Sequence, residues 1–332
     1  VKPNGKALIV VEPQGALDSR RQDPLSSTEM VTRQYTIAVG RRLGGLWMAE
    51  GCALIVNADD FGISPGVNRG VIEAHQRGLV RSASLMSNQP WAAEAVAFWR
   101  ACPSLGLGLH LTLTAGAPLT PAARVPSLVG PDGRFPVLGV WLARAQLGRL
   151  RPEDLRRELS AQIERALTLG AQLDHLDSHH HIHTQPLVGR ITLLLAREYG
   201  IPAVRCPVER PRRRATRDLL RALLVSARAC WLRQAIRAAG LRTTDHFAGL
   251  GLGYGFDQRA LARQLADLEP GWTELMTHPG YPDAALAEAT RYVDGREREL
   301  ASLTDPHPRL VLERRGIRLA SWRQRATTAV GS

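Results

Sequence analysis

From residue 53 onward the chain alternates short apolar runs with longer stretches in which apolar side chains return every three or four positions. "ALIVN" (53–57) is apolar and partly β-branched, the pattern of a buried strand. Ser64 and Pro65 then offer an N-cap and a first-turn proline, and Val67, Val71, Ile72 and His75 continue a helix that stops near Gly78. "SASLMS" (82–87) predicts a strand, "PWAAEAVAFWRA" (90–101) a helix and "LGLGLHLTL" (105–113) a strand.

Residues 115–150 are rich in Pro and Gly and read as an excursion or lid. Pro152 opens a long helix whose first turn carries acids, where the helix dipole favours them. "QLDHLDS" predicts a strand, "PLVGRITLLLAREYG" a helix and "IPAVRC" a strand. After a basic stretch come "DHFAGL", a glycine loop, a helix near 257–268, a strand at 272–278, a helix at 295–303 and a last strand at 316–321. Strands alternating with helices about seven or eight times predict an α/β fold: a single deformed (β/α) barrel with parallel strands. The expected organisation is a poorly ordered tail at 1–50 and a catalytic barrel at 51–325. The barrel carries the 115–150 excursion and an Arg-rich helical insert at 207–242. Met48, just before the first convincing strand, is the expected native start.

Composition changes this picture little. At 44% hydrophobic and 22% charged residues the chain can bury a large core. Its four cysteines are dispersed and form no CxxC pair, which argues against a zinc ribbon and fits a reducing compartment. No secretory signal or membrane-length apolar run is evident, so a cytoplasmic protein is expected.

The net charge of +12 is concentrated. Residues 205–242 hold eleven Arg against Glu209 and Asp218. Arg217, Arg221 and Arg228 share a helical stripe, which reads as a solvated helical hairpin or as a peripheral membrane contact; nucleic acid is not an expected partner. "GLGLGYG" (249–255) lacks the third glycine of a dinucleotide fingerprint and reads as a flexible loop or lid. Trp47, Trp91, Trp99 and Trp141 show no stacking pattern and are expected in the core.

The unusual polar residues fall at strand ends. Asp59 and Asp60 follow the first strand, His110 lies near the end of the third, Asp177 and His179 end the fourth, and His278 closes a later one. In a barrel these ends share one face, and that face carries the chemistry. Five of the ten histidines crowd into "HLDSHHHIH" (175–183). If that stretch is extended, Asp177, His179, His181 and His183 point one way and His180 the other. Neutral imidazole is a common metal ligand whose second nitrogen needs a partner, so the cluster can supply both ligand and support. Asp59 and Asp60, adjacent on extended backbone, diverge and take different tasks.

"LIVNADDFGISPGVNRGVIEAH", "GLGLHLTLTAGAPL", "HLDSHHHIHTQP" and "ELMTHPGY", in this order, resemble the YdjC-like carbohydrate deacetylases, a group that includes the chitooligosaccharide and hopanoid-associated deacetylases. The likeness covers about 53–321. It implies a polysaccharide-deacetylase-like barrel, a divalent metal and removal of acetyl groups from N-acetylated sugars. By position, Asp60, His110 and His179 match the metal ligands, Asp59 the general base and His278 the general acid. His181, His183 and Arg205 match supporting or substrate-contact positions. "DSHHHIH" is similar to the chitooligosaccharide branch, whereas "LRTTDHFAGL" (241–250) is closer to the hopanoid-associated one, so the implied substrate is a chitooligosaccharide or an N-acetylglucosaminyl glycolipid. Imidazole ligands favour zinc, and the family implies magnesium as well. The competing readings are a metal-dependent phosphoesterase, which would call for a second set of metal ligands, and a non-enzymatic basic module that binds membrane or nucleic acid. The oligomeric state is not legible.

Overall fold

A computed structural model describes residues 51–210 and 216–327, together with the backbone at 42–43 and 46–47. Apart from the backbone of Arg42–Leu43 and Leu46–Trp47, the expected tail at 1–50, with Met48 and the Trp47 side chain, lies outside the described residues, as do the side chains of Arg217 and Arg221.

The first strand, β1 (Cys52–Phe61), is buried along its whole length. It is the pattern of a parallel strand covered on both faces. Helix α1 (Pro65–Gln76) follows, with the Ser64 hydroxyl accepting from the Val67 N–H and Pro65 in the first turn. Then come β2 (Ser82–Leu85), α2 (Ala92–Arg100) and β3 (Gly106–Leu111). The excursion contains helix α3 (Leu138–Gln146) and packs onto α4 (Pro152–Thr168). Two buried acids of α4 pin it: Glu158 accepts from the Leu119 and Thr120 N–H groups, and Asp154 from Ser127. Strand β4 (Leu176–Ser178), α5 (Pro186–Glu198) and α6 (Thr216–Ala238) come next. The chain continues through β5 (His246–Ala248), α7 (Gln258–Ala266), β6 (Gly271–Thr277), α8 (Ala284–Ala289), α9 (Gly295–Thr304), α10 (Pro306–Arg314), β7 (Arg318–Ala320) and α11 (Trp322–Thr327).

The sheet is parallel, in the order β4-β3-β2-β1-β6-β5, and β7 pairs with the first half of β1. Single parallel bridges, Leu176 to Val204 and Ala203 to Arg242, carry it round from β4 to a point four residues before β5. The two edges therefore meet through broken strands, and the expected deformed barrel is present. "IPAVRC" contributes only such bridges, because Pro202 has no N–H to donate. The basic insert forms one long helix in its described part. Trp99 and Trp141 are buried as expected, whereas Trp91 lies exposed beside the start of α2.

Candidate active site

The C-terminal end of β1 is irregular. Its pairing with β2 shifts register between Ala58 and Phe61, and Asp60 has φ of 66°, a left-handed conformation rare outside glycine. The strand thus extends past "ALIVN" and breaks at the two aspartates. That break turns the neighbouring carboxylates toward different partners. Non-glycine residues held in this region cluster at functional sites.

Asp60 faces the histidines. One oxygen lies 3.4 Å from His110 Nε2 and 3.1 Å from His179 Nδ1; the other accepts from Arg296 at 2.6 Å. One donor atom from each of Asp60, His110 and His179 lies within 4.8 Å of the others. His110 and Asp177 are register partners on β3 and β4, so their side chains meet: His110 Nδ1 is 2.8 Å from Asp177 Oδ1. This contact commits one ring nitrogen to a carboxylate and leaves Nε2 facing Asp60, the arrangement a ligating histidine uses. The donor set fits a divalent transition ion, with Arg296 leaving Asp60 a single oxygen for it.

Asp59 turns away from Asp60. Arg205 grips both its oxygens, at 2.7 Å each, and Asn57 donates to it at 2.9 Å. Arg205 also reaches Asp177 at 2.7 Å and Glu274 at 2.8 Å, and no part of it is exposed. Burial opposes the charge on Asp59, but Arg205 overcomes it and holds the carboxyl well below its ordinary range. Asp177 is lowered against burial by Arg205 and His110, and Asp60 by Arg296 and His179. For His110, burial is outweighed by Asp177 and Asp59, which push its pKa up to about 10.

Residues 179–184 are not extended. They form a 3₁₀ turn in which His180 and His181 have φ of 55° and 54°. The turn keeps His179 beside Asp60 and folds His183 back into the protein, where its Nδ1 meets Ser178 Oγ and its Nε2 lies 3.1 Å from the Arg205 carbonyl. Burial lowers the His183 pKa to about 4. His181 packs edge-on to Phe247. Arg205 and His183 stand behind the donor cluster, away from the cleft lining; His181 lies on it.

That cleft has a volume of about 180 Å³, and Asp59, Asp60, His110, His179 and His278 all line it. His278 follows β6; its backbone N–H donates to Glu299 at 2.7 Å, and its ring stands edge-on to Tyr254 and Tyr292. Glu299 also takes the Tyr292 hydroxyl and the Gly255 N–H. Burial raises the pKa of Glu299. The glycine loop expected to be mobile is thus tied down, at Gly255 by Glu299 and at Gly251 by Glu209. Sequence reasoning missed Glu274, Arg296, Glu299, Tyr254 and Tyr292. Glu274 had a signal: it lies four residues before His278 on a strand, at even spacing. Arg296 and Glu299 sit in "GREREL", which reads as an ordinary charged surface helix.

Comparison with known proteins identifies the family. A sequence model of the YdjC-like protein family matches residues 53–314. A carbohydrate deacetylase from Geobacillus stearothermophilus is 39% identical over 271 residues, covering 81% of this chain and 96% of its own. A chitooligosaccharide deacetylase from Serratia marcescens is 36% identical over 274 residues, covering 81% and 97%. Among solved structures, a candidate cellobiose-phosphate cleavage protein from Enterococcus faecalis V583 superposes with a TM-score of 0.69 at 29% identity, over 82% of this chain and 98% of that one. With the family match spanning most of the chain and relatives this similar aligned nearly end to end, the chain belongs to the YdjC-like family.

Proposed function

We propose that this protein is a metal-dependent carbohydrate N-deacetylase that removes the acetyl group from N-acetylated amino sugars. The observation that carries the reading is the convergence of Asp60, His110 and His179 on one cleft with an Arg-held carboxylate, Asp59, and a histidine, His278. The names of the relatives, carbohydrate and chitooligosaccharide deacetylases, point to the same activity.

An amide yields to water only if its carbonyl is polarised, the water is deprotonated and the amine leaves protonated. A divalent ion held by Asp60, His110 and His179 would supply the first of these and acidify the attacking water. Asp59 accepts the proton from that water as the new C–O bond forms. Arg205 fixes its orientation and keeps it ionised between turnovers. His278, protonated, gives its proton to the sugar nitrogen as the C–N bond breaks, so acetate and a free amine leave. The Glu299 contact to the backbone N–H and the two tyrosine rings position His278. Imidazole donors favour zinc over magnesium.

A second grouping, Asp59, His110 and Asp177, has donor spacing suited to a metal. The Arg205 guanidinium already bridges its two carboxylates, which argues against a two-metal phosphoesterase. The substrate on this reading is a chitooligosaccharide or an N-acetylglucosaminyl lipid. No helix among the described residues is long and apolar enough to cross a membrane, and the four cysteines are unpaired, as suits a cytoplasmic enzyme. The test is mass spectrometry of N,N′-diacetylchitobiose and an N-acetylglucosaminyl lipid after incubation with protein purified without added metal, alongside elemental analysis. Loss of acetyl from either substrate with about one zinc per chain is expected; intact substrates would sink the activity, and stoichiometric magnesium without zinc would overturn the choice of metal.

A further inference from the structure

The reaction proposed for the cleft makes no use of the charge on α6. Between Thr216 and Ala238 the sequence carries five Arg against Asp218 alone. One face of the helix, with Ala222, Ala229, Leu232 and Ile236, is buried against the body of the protein. Side-chain bonds add to that hold: Ser226 Oγ accepts from the Glu209 N–H, the Trp231 indole donates to the Thr184 carbonyl and Arg233 to the Asp245 carbonyl.

A helix held in this way ordinarily turns polar residues outward on its other face. Here Leu220, Leu223 and Leu224, at the spacing i, i+3 and i+4, are 58%, 42% and 52% exposed, and Ala227 and Arg228 are exposed one turn further on. Helix α3 is the neighbour of this face, because Trp141 and Gln146 of α3 line the same cavity as Ala227 and Arg228 of α6. Val137, Val140 and Leu147, on α3 and next to its ends, are exposed as well. Residues 137–151 hold three Arg and no acid, and Arg149 and Arg151 are exposed. Single surface leucines need no explanation. Six large aliphatic side chains on two neighbouring helices, among basic residues almost unopposed by acids, do.

We propose that this face of α6 and α3 docks on an anionic lipid bilayer. The guanidinium groups meet lipid phosphates, and the leucines and valines enter the boundary between headgroups and acyl chains. The same charge disfavours the other occupants. Two copies of the chain meeting through this face would set like charges against each other. A nucleic acid would satisfy the arginines, but its bases stack on aromatic rings, and aliphatic side chains offer no such platform. The assignment does not depend on what the cleft hydrolyses.

The test is co-sedimentation of the full chain with vesicles of phosphatidylcholine alone and of phosphatidylcholine mixed with phosphatidylglycerol. Each basic residue near an anionic surface adds roughly fivefold to partitioning, so the mixed vesicles should bind at least about tenfold more tightly. Rising salt should weaken that binding. Leu220→Ser, Leu223→Ser and Leu224→Ser combined remove the inserted hydrocarbon without changing charge and should weaken binding to mixed vesicles by at least about tenfold. Arg149→Gln with Arg228→Gln, both at exposed positions, should also weaken it, by about tenfold or more, and gives a second reading should the serine variant fold poorly. Leu310→Ser, at an exposed apolar residue on α10, should bind like wild type. No sedimentation with mixed vesicles, equal binding to both kinds, or binding that survives the serine and glutamine variants overturns the assignment. A dimer in sedimentation equilibrium that the serine variant dissociates would give the face to a second copy and overturn it too.

Discussion

The cleft and the cavity of about 370 Å³ beside it, between α3 and α6, share a two-histidine wall, His180 and His181, and little else. In the cleft and directly behind it the polar groups answer one another: Asp59 to Arg205, Asp60 to Arg296 and the histidines, Asp177 to His110, Ser84 and Arg205. In the neighbouring cavity, Trp141, Leu142, Ala227 and Trp231 stand among Gln146, Thr184, Gln185 and Arg228. The contrast separates two tasks. Bond cleavage needs dipoles and charges fixed in advance, and removing one partner leaves another buried and uncompensated. A wall of partly exposed side chains tolerates change one residue at a time.

The comparison breaks most sharply at Asp60. Asp60→Asn should lose the bound ion and lower kcat/KM for deacetylation by about 10³-fold or more, as read by elemental analysis and acetate release together. Asp59→Asn should lower kcat by about 10²- to 10⁴-fold and retain the ion, because Asp59 is bound to Arg205 and lies outside the ligand set. Asp177→Asn removes the carboxylate behind His110 and should weaken ion affinity by about 10- to 100-fold, measured by competition with a chelator. In that assay the wild-type affinity should rise with pH. His110 keeps a proton up to about 10 when no ion is bound, and the ion must displace it.

His183 provides a stability test. Its pKa is about 4 in the folded protein and near 6.5 when unfolded. Between those values the unfolded chain binds the extra proton, so stability is lost as pH falls from 6.5 toward 4, by up to roughly 3 kcal/mol. Urea unfolding at the two ends of that window should show a smaller difference in His183→Gln. The smallest effect belongs to the exposed side of α6: Leu224→Asp should change unfolding stability by no more than about 0.5 kcal/mol.

Much of the barrel was legible because β1, β2, β3 and β6 are apolar runs separated by helical periodicity. Asp59, Asp60, His110, His179 and His278 were legible as strand-end residues, since parallel strands send their C-terminal ends to one face. What escaped depends on local backbone geometry or on distant packing. The left-handed residues His180 and His181 curl a stretch that alternation alone reads as extended. Arg296 and Glu299 are buried only because α9 docks its charged side against the cleft, and nothing in "GREREL" distinguishes them from surface charges. The two apolar faces of α6 could be counted along the chain, but which of them meets the core is settled only by packing.

The most direct measurement is a titration of metal-stripped protein with Zn²⁺, following acetate release from an N-acetylated glucosaminide. Activity should be absent at the start and should rise to a plateau at one ion per chain, with no rise in Asp60→Asn. Activity that survives stripping, or a plateau reached only at two ions per chain, would contradict a single centre built from Asp60, His110 and His179.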